Sequence, residues 1–476
     1  MAAEQQVFEF ESGKPSGGYP ELHWTGKRPY TSTRYFPAQC KERYGKEQDG
    51  WINRLYWGDN IHVMSHLLKE FRGKIDLIYI DPPFDSNADY KKKIKIRGEN
   101  ALNDSTVLKE KQYRDIWTND GYLQFMYERL ILMRELLSDT GSIYLHCDWH
   151  KSHHLRMLMD EVFGPNNFRN EIAWCYLVNK GNFLNKYPPR HDTILFFAKT
   201  NKNFFAGEEV RMEPSEATLK RWGAYAHENG EVPYEKLTPG MKRVAGKDKK
   251  PYVLRGGIQV DWITKIPGLN SGDSNENINY PTQKPEKLLE IFIKASSNPG
   301  GIVFDCFMGS GTTQAVAMKL GRKFIGADIN PGAIHTAAKR LLKIKQELES
   351  NRETKEKKYT SFEVYNVNNY DFFRNPLKAE ADVQRKDNKL IIKKFYPINL
   401  MQKLGLDRKT VSDWKELADS VMIDFDYAGA EMQPALIDIP EKNKFVKGEY
   451  DIPKDAGRIK LKITDLLSES LELILE

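Results

Sequence analysis

The run Lys74–Phe84, KIDLIYIDPPF, ends abruptly in an acid, two prolines and an aromatic ring. Its strand-forming residues predict a buried strand with Asp81 at the carboxyl end, where open α/β sheets hold their ligands. Pro82 and Pro83 lack N–H donors and fix φ, so the turn is stiff and its carbonyls stay available as acceptors. A carboxylate, a fixed carbonyl and a ring suit a flat base bearing an exocyclic amino group. Asp81 and the Pro82 carbonyl would each accept one amino hydrogen while Phe84 stacks on the base. Asp81, Pro82, Pro83 and Phe84 are therefore the candidate catalytic residues. A Pro-Pro turn with Phe84 packed in a core accounts for the same four residues.

A second stretch, Tyr280–Asn330, has the spacing of a ligand loop. Thr282 or Lys284 is placed to cap, and Pro285 to begin, a helix that leads into the strand GIVFD ending at Asp305. In the tight loop Cys306–Gly311, Gly309 and Gly311 let backbone approach a ligand, and Thr312 and Thr313 open the next helix. The following strand, KFIGAD, ends at Asp328, which lies 19 residues after Gly309, close to the interval of about 20 from a Gly-rich turn to a ribose-binding acid. A dinucleotide-binding dehydrogenase is the rival, but its third glycine would fall at Gln314.

The DPPF turn, followed much later by T-Q-K-P and D-x-F-M-G-S-G-T-T, resembles the β group of DNA amino-methyltransferases. The resemblance covers roughly residues 50 to 345. It implies an α/β fold, a circularly permuted Rossmann-like methyltransferase sheet with an inserted target-recognition region and a small mostly-β C-terminal domain. It also implies S-adenosyl-L-methionine as cofactor, held by Asp59, Thr282, Lys284, Pro285, Asp305, Phe307, Gly309, Ser310, Gly311, Thr312 and Asp328. Asp305 and the glycine backbone would serve the amino-acid end, Lys284 the carboxylate and Asp328 the ribose hydroxyls. Cys306 departs from the family, which commonly has Pro there. Asp at position 81 leans toward adenine N6, since Ser-first versions go with cytosine N4. The implied function is site-specific methylation of adenine N6 in double-stranded DNA, for restriction–modification or related defence. Cytosine-N4 methylation and a catalytically idle DNA-binding specificity subunit stay open, although the intact DPPF and FMGSGTT segments argue against the idle form. No metal is needed, because the sulfonium already carries its leaving group.

The elements that must position these residues follow in order. Residues 1–48 lack a sustained period and suggest a surface arm. Residues 49–200 form the first half of the catalytic domain. Here Trp51–Phe71 predicts a strand, a turn and a one-faced helix, making a βαβ unit with the Asp81 strand. Asp59 would then share the sheet edge with Asp81 near a cofactor, or belong to a turn that caps the helix through Asn60. Lys91, Lys92, Lys93, Lys95 and Arg97 would hold phosphates beside an extruded nucleotide, or form a solvated loop. The stretch from Gly121 is a core helix with Gly141 as its C-cap. In Ser142–His154 the crowd of His, Cys and Asp argues little for metal, because His146, Cys147 and Asp148 alternate along a strand; Asp148 at its end would line the cleft. Residues 201–278, polar with interspersed Trp, Tyr, Lys and Arg, suit a target-recognition insertion. Residues 279–345 are the cofactor-binding half.

Residues 346–476 read as a charged linker and a small β module, and that module looks like the tail of type III modification subunits. Partners implied are double-stranded DNA, with a restriction or translocase subunit and a homodimer left open. The 476 residues carry 72 Lys+Arg against 66 Asp+Glu, so the net charge of +6 permits a polyanion only where bases cluster. Four separated cysteines without a C-x-x-C pair argue against a zinc module and a disulfide scaffold. With no signal-like start and no apolar run approaching ~20 residues, a cytoplasmic protein without a membrane span is expected.

Overall fold

The computed structural model describes residues 6–10, 19–83, 90–95, 107–113, 119–176, 185, 187–222, 231–238, 242, 252–253, 256–269, 276–278, 280, 282–351, 359–367, 379–408, 411, 413–441 and 444–475. Its centre is a ten-stranded sheet in the order Trp262–Ile263, Phe168–Cys175, His191–Ala198, Leu137–Cys147, Ile75–Ile80, Ile302–Asp305, Lys323–Asp328, Asn53–Trp57, Phe362–Val367 and Ala38–Tyr44. The six strands from Leu137–Cys147 to Phe362–Val367 run parallel, so their carboxyl ends share one edge. The helix Asn60–Phe71 does link Asn53–Trp57 to Ile75–Ile80, but two strands from some 220 residues later lie between them. That is the permuted order expected of the sequence.

Both faces of the sheet are covered, and the alternation of a strand decides which side chain meets which layer. Ile78 and Ile80 pack under the helices Asn60–Phe71, Asn119–Leu136 and Ser152–Phe163. Leu77 and Tyr79 pack under Glu286–Ser296, Thr312–Lys319 and Pro331–Ser350. Asp81 continues the second series, so the sheet's pleat points it toward the layer that carries the glycine loop. Phe292, Phe304, Phe324 and Tyr144 are fully buried, and each such side chain contributes about 1.5–3 kcal/mol to holding the layers together.

Three expectations change. The sheet exceeds the boundaries drawn at 48 and 345, because Ala38–Tyr44 and Phe362–Val367 pair with each other and extend it beyond Asn53–Trp57. Gly141 is not a helix C-cap. The helix ends at Leu136 and the chain passes directly into the strand Leu137–Cys147, where a Cβ on Gly141 would lie 2.8 Å from the Ile75 carbonyl oxygen. The glycine serves a bulge that interrupts the register between Ile75 and Leu77. Finally, Pro285 is the N-cap and Glu286 the first helical residue, with no side-chain cap from Thr282 or Lys284.

The C-terminal module is β-rich as expected: a three-stranded and a four-stranded antiparallel sheet share a core containing Leu390, Phe395, Val421, Ile423 and Leu461. It joins the catalytic sheet through backbone bonds between Met432 and Lys41 and between Arg43 and Met432, and through buried ion pairs. Lys462 meets Glu42. Asp419 accepts from His335 at 2.9 Å and Lys339 at 2.7 Å, both on the helix Pro331–Ser350. Among the described residues no helix is long and apolar enough to cross a membrane.

Burial pushes the Asp419 carboxyl up, but the hydrogen bonds and charges of His335 and Lys339 overcome this and hold it well below the usual carboxylate range. A depressed carboxyl stabilises the fold above its unfolded value of about 4 and loses that contribution as pH falls through the folded value. Asp419→Ala should therefore cost about 3 kcal/mol near neutral pH, measured by denaturant unfolding. The gap between wild type and variant should close on acidification below about pH 4.

Candidate active site

Asp59, Asp81, Asp305, Asp328 and Asp148 end or follow neighbouring parallel strands, so five acids collect at one sheet edge. Each is met differently. Asp59 caps its helix by accepting from the Ile61 amide at 3.0 Å and also takes a bond from Arg129 Nη2 at 2.9 Å. The same guanidinium donates to Asn60 Oδ1 at 2.6 Å, and Asn60 Nδ2 donates to the Cys306 carbonyl at 3.2 Å. Buried Arg129 thus ties the first turn to the glycine loop. Asp148 accepts from His150 Nδ1 at 2.6 Å.

Asp305 accepts from the Phe307 amide at 2.9 Å and Thr313 Oγ1 at 2.6 Å, which folds the loop back on its own strand. Asp328 accepts from the Gly309 amide at 2.9 Å and the Asn330 amide at 2.8 Å. Gly309 is in the left-handed region (φ +48°), and a Cβ there would lie 3.3 Å from the Tyr280 ring. Gly311 (φ +72°) would put a Cβ 2.7 Å from Ala337 Cβ. Both positions disfavour a side chain by conformation, and Gly311 excludes one for space as well.

Among the described residues Asp81 is held by one partner. Lys284 Nζ donates to its Oδ2, while Oδ1 is buried with no hydrogen-bond partner among the described residues. A buried unpaired acceptor costs about 1–3 kcal/mol, and at a ligand edge it marks where a donor would bind.

The structure thus brings Asp59, Asp81, Lys284, Asp305, Gly309 and Asp328 to one edge. Pro82 is buried and Pro83 half-buried beside them. Phe307 is half-buried, its ring 6.2 Å from that of Phe125. Ser310 and Thr312 pair their hydroxyls at 3.1 Å beneath Arg340, which donates to Thr312 at 3.0 Å. Thr282 is exposed with φ +67°. Phe84 and Arg97 lie outside the described residues. Lys91, Lys92, Lys93 and Lys95 lie on the strand Tyr90–Lys95, paired antiparallel with Val107–Tyr113, and their side chains lie outside the described set. Sequence reasoning gave no site role to Arg129, Tyr280 or Asp192, read Asn60 only as part of a helix cap and weighed His146 only as a metal ligand. The Glu128-Arg129 pair, set among the apolar residues Phe125, Met126, Tyr127, Leu130 and Ile131, was the available signal.

Residues 75–339 match the family described as DNA methylase, N6_N4_Mtase. The chain belongs to the DNA methylase family. Type II methyltransferase M.EcaI of Enterobacter cloacae is 29% identical over 331 residues, covering 60% of this chain and 69% of that one. DNA adenine methyltransferase YhdJ of Escherichia coli is 27% identical over 307 residues, covering 63% and 84%. The StyLTI Mod subunit, a type III restriction-modification enzyme of Salmonella typhimurium, is 26% identical over 330 residues, covering 57% of this chain and 50% of its own length. Transfer of a methyl group from S-adenosylmethionine to DNA is the activity of this family.

The residues present fit that cofactor. The glycine loop offers backbone where a Cβ would clash, and the carboxylates around it suit a sulfonium and an ammonium. They repel a pyrophosphate. The third position of a dinucleotide fingerprint is filled by fully buried Gln314, whose Nε2 donates to the Ile325 carbonyl at 3.3 Å. The close approach belongs to Gly326 on the strand, where a Cβ would meet Gln314 at 2.8 Å.

Burial first, then the nearby Asp81 and Asp328 charges, push Asp305 up to about 7 against its two hydrogen bonds. A raised carboxyl stabilises the fold fully below its unfolded value of about 4, and that contribution is lost as pH rises through the folded value. Thermal melting of the ligand-free protein from pH 4.5 to 7.5 should show this loss, and Asp305→Asn should make the slope shallower. An unchanged slope in the variant would assign the titration to another group.

Proposed function

We propose that this chain methylates adenine at N6 within a specific sequence of double-stranded DNA, as the modification component of restriction–modification or a related defence. The observation that carries this reading is the buried Oδ1 of Asp81, which has no hydrogen-bond partner among the described residues and follows the strand that pairs with the one leading into the glycine loop. It is an acceptor awaiting a donor, and an exocyclic amino group is a donor that fits beside a proline carbonyl. YhdJ is named a DNA adenine methyltransferase and the StyLTI Mod subunit a type III restriction-modification enzyme, which supports adenine and restriction–modification for those proteins. The lean to adenine here rests on Asp, rather than Ser, at position 81.

When bound, S-adenosylmethionine supplies a sulfonium methyl: the amino nitrogen forms the new N–C bond, the S–C bond breaks with its pair left on sulfur, and one proton leaves nitrogen. The adenine amino lone pair is delocalised into the ring and is a poor nucleophile. Hydrogen bonds to Asp81 and the Pro82 carbonyl make that nitrogen more tetrahedral as it attacks, an interaction stronger in the transition state than before it. Asp81 is also placed to receive the proton. Since the reacting group lies inside a duplex, the base must be extruded into the edge cleft, with Phe84 as its stacking surface. Residues 201–278 read the target, and Lys91, Lys92, Lys93, Lys95 and Arg97 hold phosphates. The edge strand Trp262–Ile263 anchors the target-reading segment to the catalytic sheet, pairing parallel with Phe168–Cys175.

Asp81→Ala should lower methyl transfer by over a hundredfold, about 3 kcal/mol, with little change in affinity for cofactor or DNA. Tritiated methyl transfer to amplified genomic DNA measures the rate, thermal melting checks the fold, and digestion to nucleosides identifies the product. N4-methylcytosine would move the target to the other base. Retained transfer in a folded Asp81→Ala protein would overturn the mechanism, and a wild type inert on all DNA would leave an idle specificity subunit. Neutralising Lys92 and Lys93 should flatten the salt dependence of DNA binding by about one to two units of slope for every sequence alike. Selective loss of one target would exchange their role with that of 201–278.

A further inference from the structure

The turn before the helix Glu286–Ser296 is built to return a lysine to the catalytic acid. Thr282 takes a left-handed conformation, φ +67°. The Gln283 amide donates to the Tyr280 carbonyl at 3.2 Å, and its side chain reaches the Glu276 carbonyl at 2.7 Å and the Ile278 amide at 3.1 Å. So pinned, Lys284 is buried, with Nζ on Asp81 Oδ2 and 3.4 Å from the Thr282 carbonyl. A lysine reserved for a ligand carboxylate would not have to be spent on the residue that receives the target base.

A second carboxylate lies on the same face of the sheet. Asp192 is buried, accepts from Tyr176 Oη at 2.9 Å, and sits 3.1 Å from His146 Nε2. His146 is fully buried, and its Nδ1 is 2.9 Å from Tyr79 Oη. Tyr79 lies two residues before Asp81 on the same strand face, so the chain Tyr79–His146–Asp192 runs directly behind the acid. The Lys284 charge helps hold the Asp192 carboxyl ionised, after the larger opposing effect of burial and the bonds and charge of His146. The Lys284 charge thus acts on Asp192 as well as on Asp81, which it contacts directly.

We propose that Lys284 is a positioning residue for methyl transfer: its ammonium clamps Asp81 Oδ2 so that Oδ1 alone faces the target amino group, with Asp192, fixed by His146 and Tyr176, as its counter-charge. An untied carboxylate rotates about its Cβ–Cγ bond and offers either oxygen. A clamped one has a single direction, and that direction aims the nitrogen lone pair at the methyl group. Asp192 and His146 never meet the substrate. Their work is to keep a buried ammonium in place without letting it compete for the base.

This inference rests on the reading of Asp81 as acceptor for the target amino group, so the experiment separates the two. Tritiated methyl transfer to amplified genomic DNA is followed in single turnover at saturating S-adenosylmethionine, with cofactor affinity from calorimetry and folding from thermal melting. Lys284→Met keeps the stem and removes the charge. It should lose at least thirtyfold in rate while the cofactor Kd changes by less than threefold, and Lys284→Arg should regain part of the rate. A merely structural role would lower the melting temperature without this split or rescue. Asp192→Asn, which leaves the clamp itself intact, should lose severalfold in rate at unchanged Kd, and it decides the matter if Lys284→Met does not fold. The proposal is overturned if Lys284→Met weakens cofactor binding tenfold or more and transfers normally once saturated, because Lys284 would then belong to the cofactor carboxylate. It is equally overturned if both variants transfer at the wild-type rate. If the wild type transfers no methyl to any DNA, it is the reading of the site that fails.

Discussion

Carboxylates crowded at one sheet edge repel one another, and much of the local structure answers that repulsion. Parallel strands leave their carboxyl ends together, so an acid at each end is an electrostatic cost that topology imposes. Asp59 is met by Arg129, a cation from a different helix, and Asp81 by Lys284, a cation from a turn some 200 residues later. Asp328 and Asp305 have backbone amides instead, and Asp305 adds a hydroxyl. Dipoles compensate less than cations do, and Asp305, buried between Asp81 and Asp328, is the member pushed up to about 7. An edge in that state gains from a bound cation, which separates S-adenosylmethionine from the phosphate-bearing cofactors that otherwise use a glycine loop after a strand.

Legibility in the sequence follows the range of the interaction. Asp81, Asp305 and Asp328 could be placed because a strand ending in an acid and then in Pro or Gly is a local signal. The order of the two motifs then carried the permutation, which the sheet shows as two late strands inserted between two early ones. Gly141 was misplaced because a glycine at a helix's end and a glycine in a bulge a few residues later leave the same mark. Their difference lies in the Ile75 carbonyl against which the glycine packs. Arg129, His146 and Asp192 were invisible as a group: each sits in or beside an apolar run that reads as core, and the contacts of Arg129 with Asp59 and of His146 with Tyr79 and Asp192 span 46 to 70 residues. Lys284 was read as a cofactor residue, and its contact with Asp81 was not legible, since nothing local shows that Thr282 turns the chain back toward Asp81.

The C-terminal module has a closer relation to the site than a linker followed by a separate domain suggests. Its ion pairs fall on the helix Pro331–Ser350, whose N-terminal turn follows Asp328 and is capped by Asn330. A Cβ on Gly332 in that turn would lie 3.7 Å from Ser468 Oγ of the module. His335 and Lys339, one turn apart on the helix, both reach Asp419, while Glu42 and Lys462 pin the opposite border, where the sheet's last strand runs. The module thus braces the helix that follows Asp328 as well as an edge strand. Strain on it would be felt first at the turn Asp328–Gly332. Because Asp328 also holds the Gly309 amide, a shift of that turn would reach the glycine loop through one hydrogen bond. A partner docking on the module would therefore have a short physical route to the glycine loop, through packed elements already held by buried charge.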